Sequence, residues 1–503
     1  MPAQPEFPVE MLHVSRRRRA VFACEPAELT DFLRARAWKG GRALCSKLAV
    51  FASLILGLAM APAVSACSAF VCSGPDEVLL AKNFDWHFGG GYLVKNPSGV
   101  ARRALPLYGG EPAAWTSVHG SLTFTQFGAG LPYGGINQRG LAIEMLWLDE
   151  TVYPSSAPRT IGELEWIQYQ LDTRASVAEV LANVAEFSIR PFGGKIHYLL
   201  ADASGDRALV EFLDGVPRIH RGGDGPLVCA NDSLALSELA FAKLRTTPLK
   251  GNTSRTRYAR LRLELEALQE PPSVASGWEA LAKVAESGAR YRTQWSAIYE
   301  LRKRRVHLKP DQAKRVFTLD AASLDYTPGS GTAFQDLAGK AVGNDRFAPL
   351  TEAANLALLR RNLPKVGLDT QLEAIARHLL DPSASGVRPL VGRATLRVRV
   401  RAKAPGDFAR IAVFGSQREI EGQTAQHAGS VLLDKAEREF GFYNLPKARY
   451  AVGAFHDLNQ DGRLSRGEPL AYFHPDPGNR GTNFAALAFE LDVPERSLEV
   501  DFE

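Results

Sequence analysis

The sequence predicts an α+β chain, a layered sandwich of sheets and helices followed by a strand-rich C-terminal unit. Three observations carry this expectation. Short apolar runs bounded by turn residues recur at 68–72, 78–81, 196–201, 208–212, 227–230 and 295–308, with the length and punctuation of strands. Among them lie segments whose apolar residues fall at helical spacing, two of them opened by capping-box patterns. From about residue 390 onward the helical spacing gives way to closely spaced alternating strands, the pattern of a separate β sandwich.

The first element is a leader. Arg34, Arg36, Lys39, Arg42 and Lys47 form a positive flank before the apolar stretch 48–61, which runs into Pro62 and the small residues Val64-Ser65-Ala66. That order is an export signal with cleavage between Ala66 and Cys67, and the stretch is short for a membrane span. Residues 1–33, with Arg16 to Arg19 in a row, make an unusually long preface to such a signal and suggest a true start nearer Arg34. Val64-Ser65-Ala66-Cys67 also fits a loose lipidation signal, so a lipid-anchored, non-catalytic binding protein stays open as a rival reading.

After the leader, residues 68–72 and 78–81 read as two strands joined by the turn Ser73-Gly74-Pro75-Asp76. A hairpin centred near Pro75 puts Cys67 opposite Asn83, give or take one residue. Thr160-Ile161-Gly162-Glu163 and Ser176-Val177-Ala178-Glu179 read as capping boxes ahead of helices with Leu164, Ile167 and Leu171, and Val177, Val180, Leu181 and Val184, on their apolar faces. Residues 257–268 and 278–284 look helical, as do 350–363 and 368–380. Pro382-Ser383-Ala384-Ser385-Gly386 then leads to strand-like runs at 395–400, 411–414, 440–443, 450–455, 484–491 and 498–502. The division expected is a leader at 1–66, a first folded unit at 67–345, a helical connector at 346–390 and a β sandwich at 391–503.

Composition narrows the function. A chain of 503 residues with 45% hydrophobic and 23% charged residues is ordinary for soluble globular protein and unlike disordered, collagenous or polytopic membrane chains. The formal charge of +5 resides largely in the leader, since residues 67–503 hold 51 basic and 50 acidic residues. No basic stripe remains, which argues against nucleic acid as a partner. Cys67, Cys72 and Cys229 remain after the leader; an odd count in an exported chain leaves a reactive thiol or an intermolecular bridge. A Cys72 to Cys229 disulfide and two inert buried thiols both fit.

A cysteine freed at an N-terminus carries its own base. The α-amine has an ordinary pKa near ~8 and the thiol near ~8.5, so the amine can take the thiol proton directly or through water, with no histidine required. The thiolate then attacks an amide carbonyl, forms a thioester and is released by water.

The motifs Cys67-Ser68-Ala69-Phe70, Lys82-Asn83-Phe84-Asp85-Trp86, Gly135-Ile136-Asn137-Gln138-Arg139-Gly140-Leu141, Cys229-Ala230-Asn231-Asp232-Ser233, Ser254-Arg255-Thr256-Arg257-Tyr258 and Thr293-Gln294-Trp295-Ser296 occur in the order seen in the choloylglycine hydrolase and penicillin V acylase family. The chain resembles that family over roughly residues 67–320. The resemblance implies the four-layer αββα fold of N-terminal-nucleophile linear amide hydrolases; the small β sandwich after it rests on the strand pattern alone. It also implies Cys67 as nucleophile, Asp85 as the acid that holds the α-amine, Asn231 as an oxyanion donor and Arg257 as the active-site arginine. Trp147 falls where bile-salt hydrolases have Asn and some penicillin acylases have an aromatic, and its backbone N–H is a second candidate for the oxyanion. Lys82 stands where the family usually has arginine; it supplies positive charge without the guanidinium fork. Trp86 and Trp147 favour an aromatic or aliphatic acyl chain over a bile salt.

These readings imply a small-molecule N-acyl amide as substrate, no cofactor for catalysis, no integral membrane span after processing, and room for a homo-oligomer. An N-terminal-cysteine acyltransferase, with an amine in place of water, is the alternative within enzymes. A different site is expected near the C-terminus. Asp457, Asn459, Asp461, Arg463, Ser465 and Glu468 stand at the ligand positions of a calcium loop, with the Arg463 carbonyl and a bidentate Glu468 among the donors and Gly462 allowing the sharp turn. A strand before it and Pro469 after it point to a calcium-stabilised β-loop rather than a helix-loop-helix switch. The region resembles a β-rich domain found in exported bacterial proteins, which implies no activity.

Overall fold

A computed structural model describes residues 67–502, apart from 108, 193, 289, 290, 312, 314, 339, 340, 402–407 and 459–463. The leader and the centre of the expected calcium loop, including Asn459, Asp461 and Arg463, lie outside the described residues.

The expected first hairpin forms. Strand β1 (Ser68–Ser73) pairs antiparallel with β2 (Val78–Trp86), with Ser68 opposite Asn83. Its turn is closed by the Gly74 N–H donating to the Glu77 carbonyl at 2.8 Å. These strands are the centre of a six-stranded antiparallel sheet ordered Leu227–Cys229, β1, β2, Arg292–Glu300, Arg305–Pro310, Phe317–Asp320. A nine-stranded antiparallel sheet runs from Val216–Arg221 through Arg207–Leu213, Ile196–Ala201, β3 (Ala142–Trp147), Gly134–Asn137, Ser121–Thr125, Tyr92–Asn96 and Ala333–Asp336 to Ala348–Pro349.

Strand alternation decides what each face of the smaller sheet buries. Ala69, Val71 and Leu80 enter one core with Leu122, Ile136, Ile143 and Leu199 of the larger sheet. Their neighbours Phe70, Cys72, Leu79 and Ala81 enter a second core with Ala259 and Leu261 and with Ala280 and Leu281. A strand whose successive side chains point to opposite faces produces this split when both faces are covered. The first core also takes Leu164, Ile167 and Leu171 of helix α1 (Glu163–Thr173); the second takes the inner faces of α2 (Ser254–Glu266) and α3 (Val274–Ala282).

The cap of α1 differs from expectation. Thr160 and Ile161 belong to a short strand, Gly162 is the cap residue, and the Glu165 carboxylate, not Glu163, accepts from the Gly162 N–H at 2.8 Å. Glu163 is released for the pocket described below. Helix α1 is also buried nearly all round, because an excursion at 101–116 covers its polar side. There the Asp172 carboxylate takes the Trp115 indole N–H at 2.8 Å and pairs with Arg102 at 2.8 Å. At the second predicted cap Ser176 does accept from the Glu179 N–H, at 3.3 Å.

Beyond the connector helices Glu352–Asn362 and Leu372–His378, the C-terminal region folds as two small sheets around a core of its own. In one, Arg393–Arg401 lies between β4 (Glu437–Pro446) and Glu495–Asp501. The other is built on Phe408–Phe414 and Arg449–Asp457. The run expected as a strand at 484–491 is instead a single helical turn, Phe484–Leu487, followed by a two-residue strand. The Asn483 side chain accepts the Ala486 N–H at 2.9 Å, and that cap outcompetes strand pairing. Among the described residues no helix is long and apolar enough to cross a membrane.

Candidate active site

Cys67 stands at the first described position, immediately before β1, where only 1% of it is exposed. The β1–β2 register brings it beside Phe84 and Asp85, and its thiol contacts the Asp85 carbonyl at 3.7 Å. Burial pushes the thiol above its ordinary pKa; Lys82 pulls it down, and Asp85 pushes it up again. With the chain continuing ahead of Cys67, nothing in this balance makes a thiolate. A cationic α-amine would add the missing positive charge.

Asp85 is held beside the thiol by a neighbouring strand. The strand Arg292–Glu300 bulges between Thr293 and Trp295, and this irregularity sets Thr293 opposite Asp85, where its hydroxyl donates to Oδ1 at 2.5 Å. The other oxygen, Oδ2, is buried with no hydrogen-bond partner among the described residues. Burial raises the carboxyl to about 7, against the opposing pull of Thr293 and Arg257. An orphaned carboxylate oxygen in a protein interior costs about 1–3 kcal/mol or more, a cost that a donor reaching it would relieve.

Arg257, on the first turn of α2, organises the next shell of the site. Its Nε donates to Ser68 Oγ at 3.0 Å, Nη1 to the Asn252 carbonyl at 2.7 Å, and Nη2 to Asn231 Oδ1 at 2.8 Å. Asn231 is thereby turned so that its Nδ2 donates to the Trp147 carbonyl at 3.0 Å, which engages one of its two N–H bonds. Its backbone N–H is fixed by Ser254 Oγ at 2.8 Å. The preceding carbonyl, Ala230, is held by His197 Nε2 at 2.9 Å, and Glu211 stands behind His197 at 3.3 Å. A planar fork that grips both the residue after the thiol and the Asn231 amide fixes their spacing in a way lysine would not.

Lys82 is drawn into a buried pair: its Nζ meets Glu144 Oε2 at 2.7 Å, both side chains being at most 4% exposed. Glu144 also accepts from the Tyr299 hydroxyl. Space for it exists because position 134 is glycine; a Cβ there would come within 2.2 Å of Glu144 Oε2. The ammonium still acts on the thiol through its field, but its direct partner is a carboxylate.

A cavity of about 270 Å³ opens at the thiol. Phe84, Trp86, Tyr133, Met145, Trp147 and Phe192 form much of its wall, and Leu363 and Val366 of the connector close one side. Phe84 is itself stacked on Trp295 at 4.1 Å and on Tyr133 at 4.8 Å. Glu163 is the carboxylate in the wall; the N–H groups of Phe192, at 3.0 Å, and Gly194, at 3.3 Å, donate to it, and burial raises it to about 8. The wall is thus apolar and aromatic, with the Glu163 carboxylate engaged by backbone N–H groups and the buried Trp86 indole nitrogen without a hydrogen-bond partner among the described residues.

The structure therefore gathers Cys67, Asp85, Asn231, Arg257 and Trp147 about one end of a cavity, with Lys82 on β2 opposite Ala69. Sequence reasoning did not single out Thr293, Glu144, Ser68 or His197 for a role. Thr293 and Ser68 lay within the quoted motifs, and that adjacency was the available signal; Glu144 and His197 are isolated residues of strand interiors and gave none. Cys72 and Cys229 are separate buried thiols, not a disulfide. Cys72 faces the helices, while Cys229 Sγ lies 3.3 Å from His197 Nε2. Of the expected calcium ligands, Asp457 ends its strand, and the Glu468 carboxylate accepts from the N–H groups of Leu458 at 3.0 Å and Ser465 at 2.7 Å, closing the loop.

Residues 67–233 match the family described as linear amide C-N hydrolases, choloylglycine hydrolase family. A penicillin V acylase of Pectobacterium atrosepticum is 30% identical over 198 residues, covering 35% of this chain and 52% of that protein. The chain thus matches about half the length of that relative. The solved penicillin V acylase of Agrobacterium tumefaciens aligns with a TM-score of 0.50 at 23% identity, over 57% of this chain and 98% of the other, a likeness of fold.

Proposed function

We propose that this chain, whose residues 67–233 belong to the choloylglycine hydrolase family of linear amide C-N hydrolases, cleaves N-acyl amides through Cys67 once that residue is the N-terminus of an exported protein. The observation that carries the reading is the unpartnered, buried Asp85 Oδ2 beside the residue that cleavage after Ala66 would free. An α-ammonium is a donor of the right charge for it. The packing of helices, two facing sheets and helices supports the four-layer αββα arrangement of N-terminal-nucleophile hydrolases.

In the proposed reaction the α-amine takes the Cys67 thiol proton and the sulfur attacks the acyl carbonyl. The oxygen's developing charge meets the Asn231 amide N–H left over from its bond to Trp147, an interaction of the kind worth about 2.7–4 kcal/mol. The protonated amine passes its proton to the leaving nitrogen as the C–N bond breaks, leaving a thioester. Water, deprotonated by the same amine, then releases the acid and restores the thiol. Arg257 holds Asn231 throughout and touches no reacting atom in this scheme.

The cavity selects the acyl half. A cavity of about 150 Å³ takes a benzene ring, so ~270 Å³ admits one aromatic ring with a short linker, or a medium aliphatic chain. Penicillin V, N-acylated homoserine lactones and N-acyl amino acids present such groups. Export, a structural calcium ion in the loop at 457–468 and the absence of a catalytic cofactor are parts of the same proposal. Its test is a panel of amides sharing one amine, with acyl groups from acetyl to steroid, incubated with protein beginning at Cys67. Turnover should peak at phenoxyacetyl or medium acyl chains. Preference for acetyl or for the steroid would contradict the pocket assignment.

A further inference from the structure

Among the described residues, no side chain beyond Val366 lines the cavity, yet the C-terminal sheets grip the catalytic part at two places that matter to it. The first grip comes from a bulge. Along β4, Leu445 faces Ala394 and Phe442 faces Leu396, so Tyr443 and Asn444 together oppose Thr395. Asn444 takes up the extra length in a left-handed conformation, φ 58°, which asparagine tolerates better than most residues. A bulge re-aims the side chains it carries. Here the Asn444 Nδ2 donates to the carbonyl of Phe192, a residue of the cavity wall, at 3.1 Å, and the Tyr443 hydroxyl accepts the Tyr153 N–H at 2.9 Å.

The second grip is ionic. Arg438, earlier on β4 and with 2% of its side chain exposed, meets Glu150 at 3.4 Å. The other oxygen of Glu150 accepts from Ser233 Oγ at 3.1 Å, two residues after Asn231. Arg438 is anchored on its own side by the Leu432 carbonyl at 2.9 Å and by Asp434 at 2.8 Å. Phe408 and Leu432 pack on Leu236 just beyond the same turn. A buried ion pair adds little net stability over an apolar contact of the same shape, but it permits one geometry.

We propose that the C-terminal sheets are a working part of the active site: Arg438 positions the Asn231 turn through Glu150 and Ser233, and Asn444 positions the acyl-pocket wall through the Phe192 carbonyl. The proposal rests on the amide-hydrolase reading for the meaning of the two sites, not for the existence of the grips. Because the grips reach different parts of the reaction, they separate kinetically. Displacing the oxyanion donor acts on the transition state and lowers kcat; loosening the wall acts on acyl binding and raises KM.

The test uses full-length protein beginning at Cys67. Arg438→Gln should lower kcat about tenfold with KM within about twofold, and Arg438→Lys should recover part of the loss. Asn444→Gly, which keeps the left-handed backbone, should raise KM severalfold with kcat retained. Val452→Ala, in the core of the C-terminal sheets and away from both grips, should lower Tm and leave kcat and KM alone. Backbone hydrogen exchange should rise at 229–236 in Arg438→Gln and at 190–196 in Asn444→Gly. The proposal is overturned if both variants merely lose Tm as Val452→Ala does, with kcat, KM and local exchange as in the parent. Should the parent hydrolyse no amide, the functional reading fails by itself, and exchange at the two segments still decides for or against the grips.

Discussion

Asp85 makes the proposed link between cleavage ahead of Cys67 and folding measurable. In a form carrying one extra residue ahead of Cys67, the residue's nitrogen is a neutral amide and no ammonium reaches Asp85 Oδ2, which has no partner among the described residues. The carboxyl sits at about 7 in the folded chain and near ~3.9 in the unfolded one. A raised folded pKa means that the native state holds the proton more tightly. The favourable contribution is therefore complete below ~pH 4 and is lost as pH rises through 7. Three units of difference correspond to about 4 kcal/mol between those limits, at about 1.4 kcal/mol per unit. Urea unfolding of the extended form at pH 4.5 and pH 8 should show this loss, and Asp85→Asn should remove it. The comparison with Asp85→Asn isolates Asp85 from Glu150 and Glu165, both also raised to about 7 by burial. In the form beginning at Cys67 the ammonium should pair with the carboxylate, so that form and its own Asp85→Asn variant should differ little in their pH dependence. An extended form whose pH dependence is the same with Asp and with Asn would refute the reasoning.

Two further outcomes follow from the site and the C-terminal loop. Asn231→Ala removes the proposed oxyanion donor and should lower kcat by about a hundredfold with a smaller effect on KM; steady-state kinetics on the preferred amide decide it, and an unchanged kcat contradicts the assignment. Calcium at a hundredfold excess over its Kd should stabilise the full-length protein's C-terminal sheets by about 2.7 kcal/mol, and Asp461→Ala should abolish that gain; a melt indifferent to calcium withdraws the metal from the loop.

What the sequence revealed depended on how local the cause was. The β1–β2 hairpin was legible because two short apolar runs and the Gly-Pro turn between them lie within twenty residues of one another. The α1 cap was misplaced by two residues because Thr160 satisfied the hydroxyl pattern, while a strand partner remote in sequence claimed it. The turn at Phe484–Leu487 was misread since four apolar residues are too few to show a helical period. The motif order pointed to the residues now found around Cys67, but not to what holds them. Lys82 pairs with Glu144 only because Gly134 leaves room, and Thr293 reaches Asp85 only through a bulge; each depends on contacts across strands far apart in the chain. The grips from β4 are more remote still, joining residues 150 and 192 to residues 438 and 444.

The central claim is that Cys67 attacks with its thiol only when its own amine is free. Protein beginning at Cys67 and protein with one additional residue should each be mixed with a slowly deacylated phenoxyacetyl amide or ester, quenched in acid and weighed intact, with the adduct located by peptide mass. The account predicts an acyl adduct on Cys67 in the first protein and none in the second, with turnover following the adduct. Equal turnover by the extended protein, or an adduct on any residue other than Cys67, would contradict it.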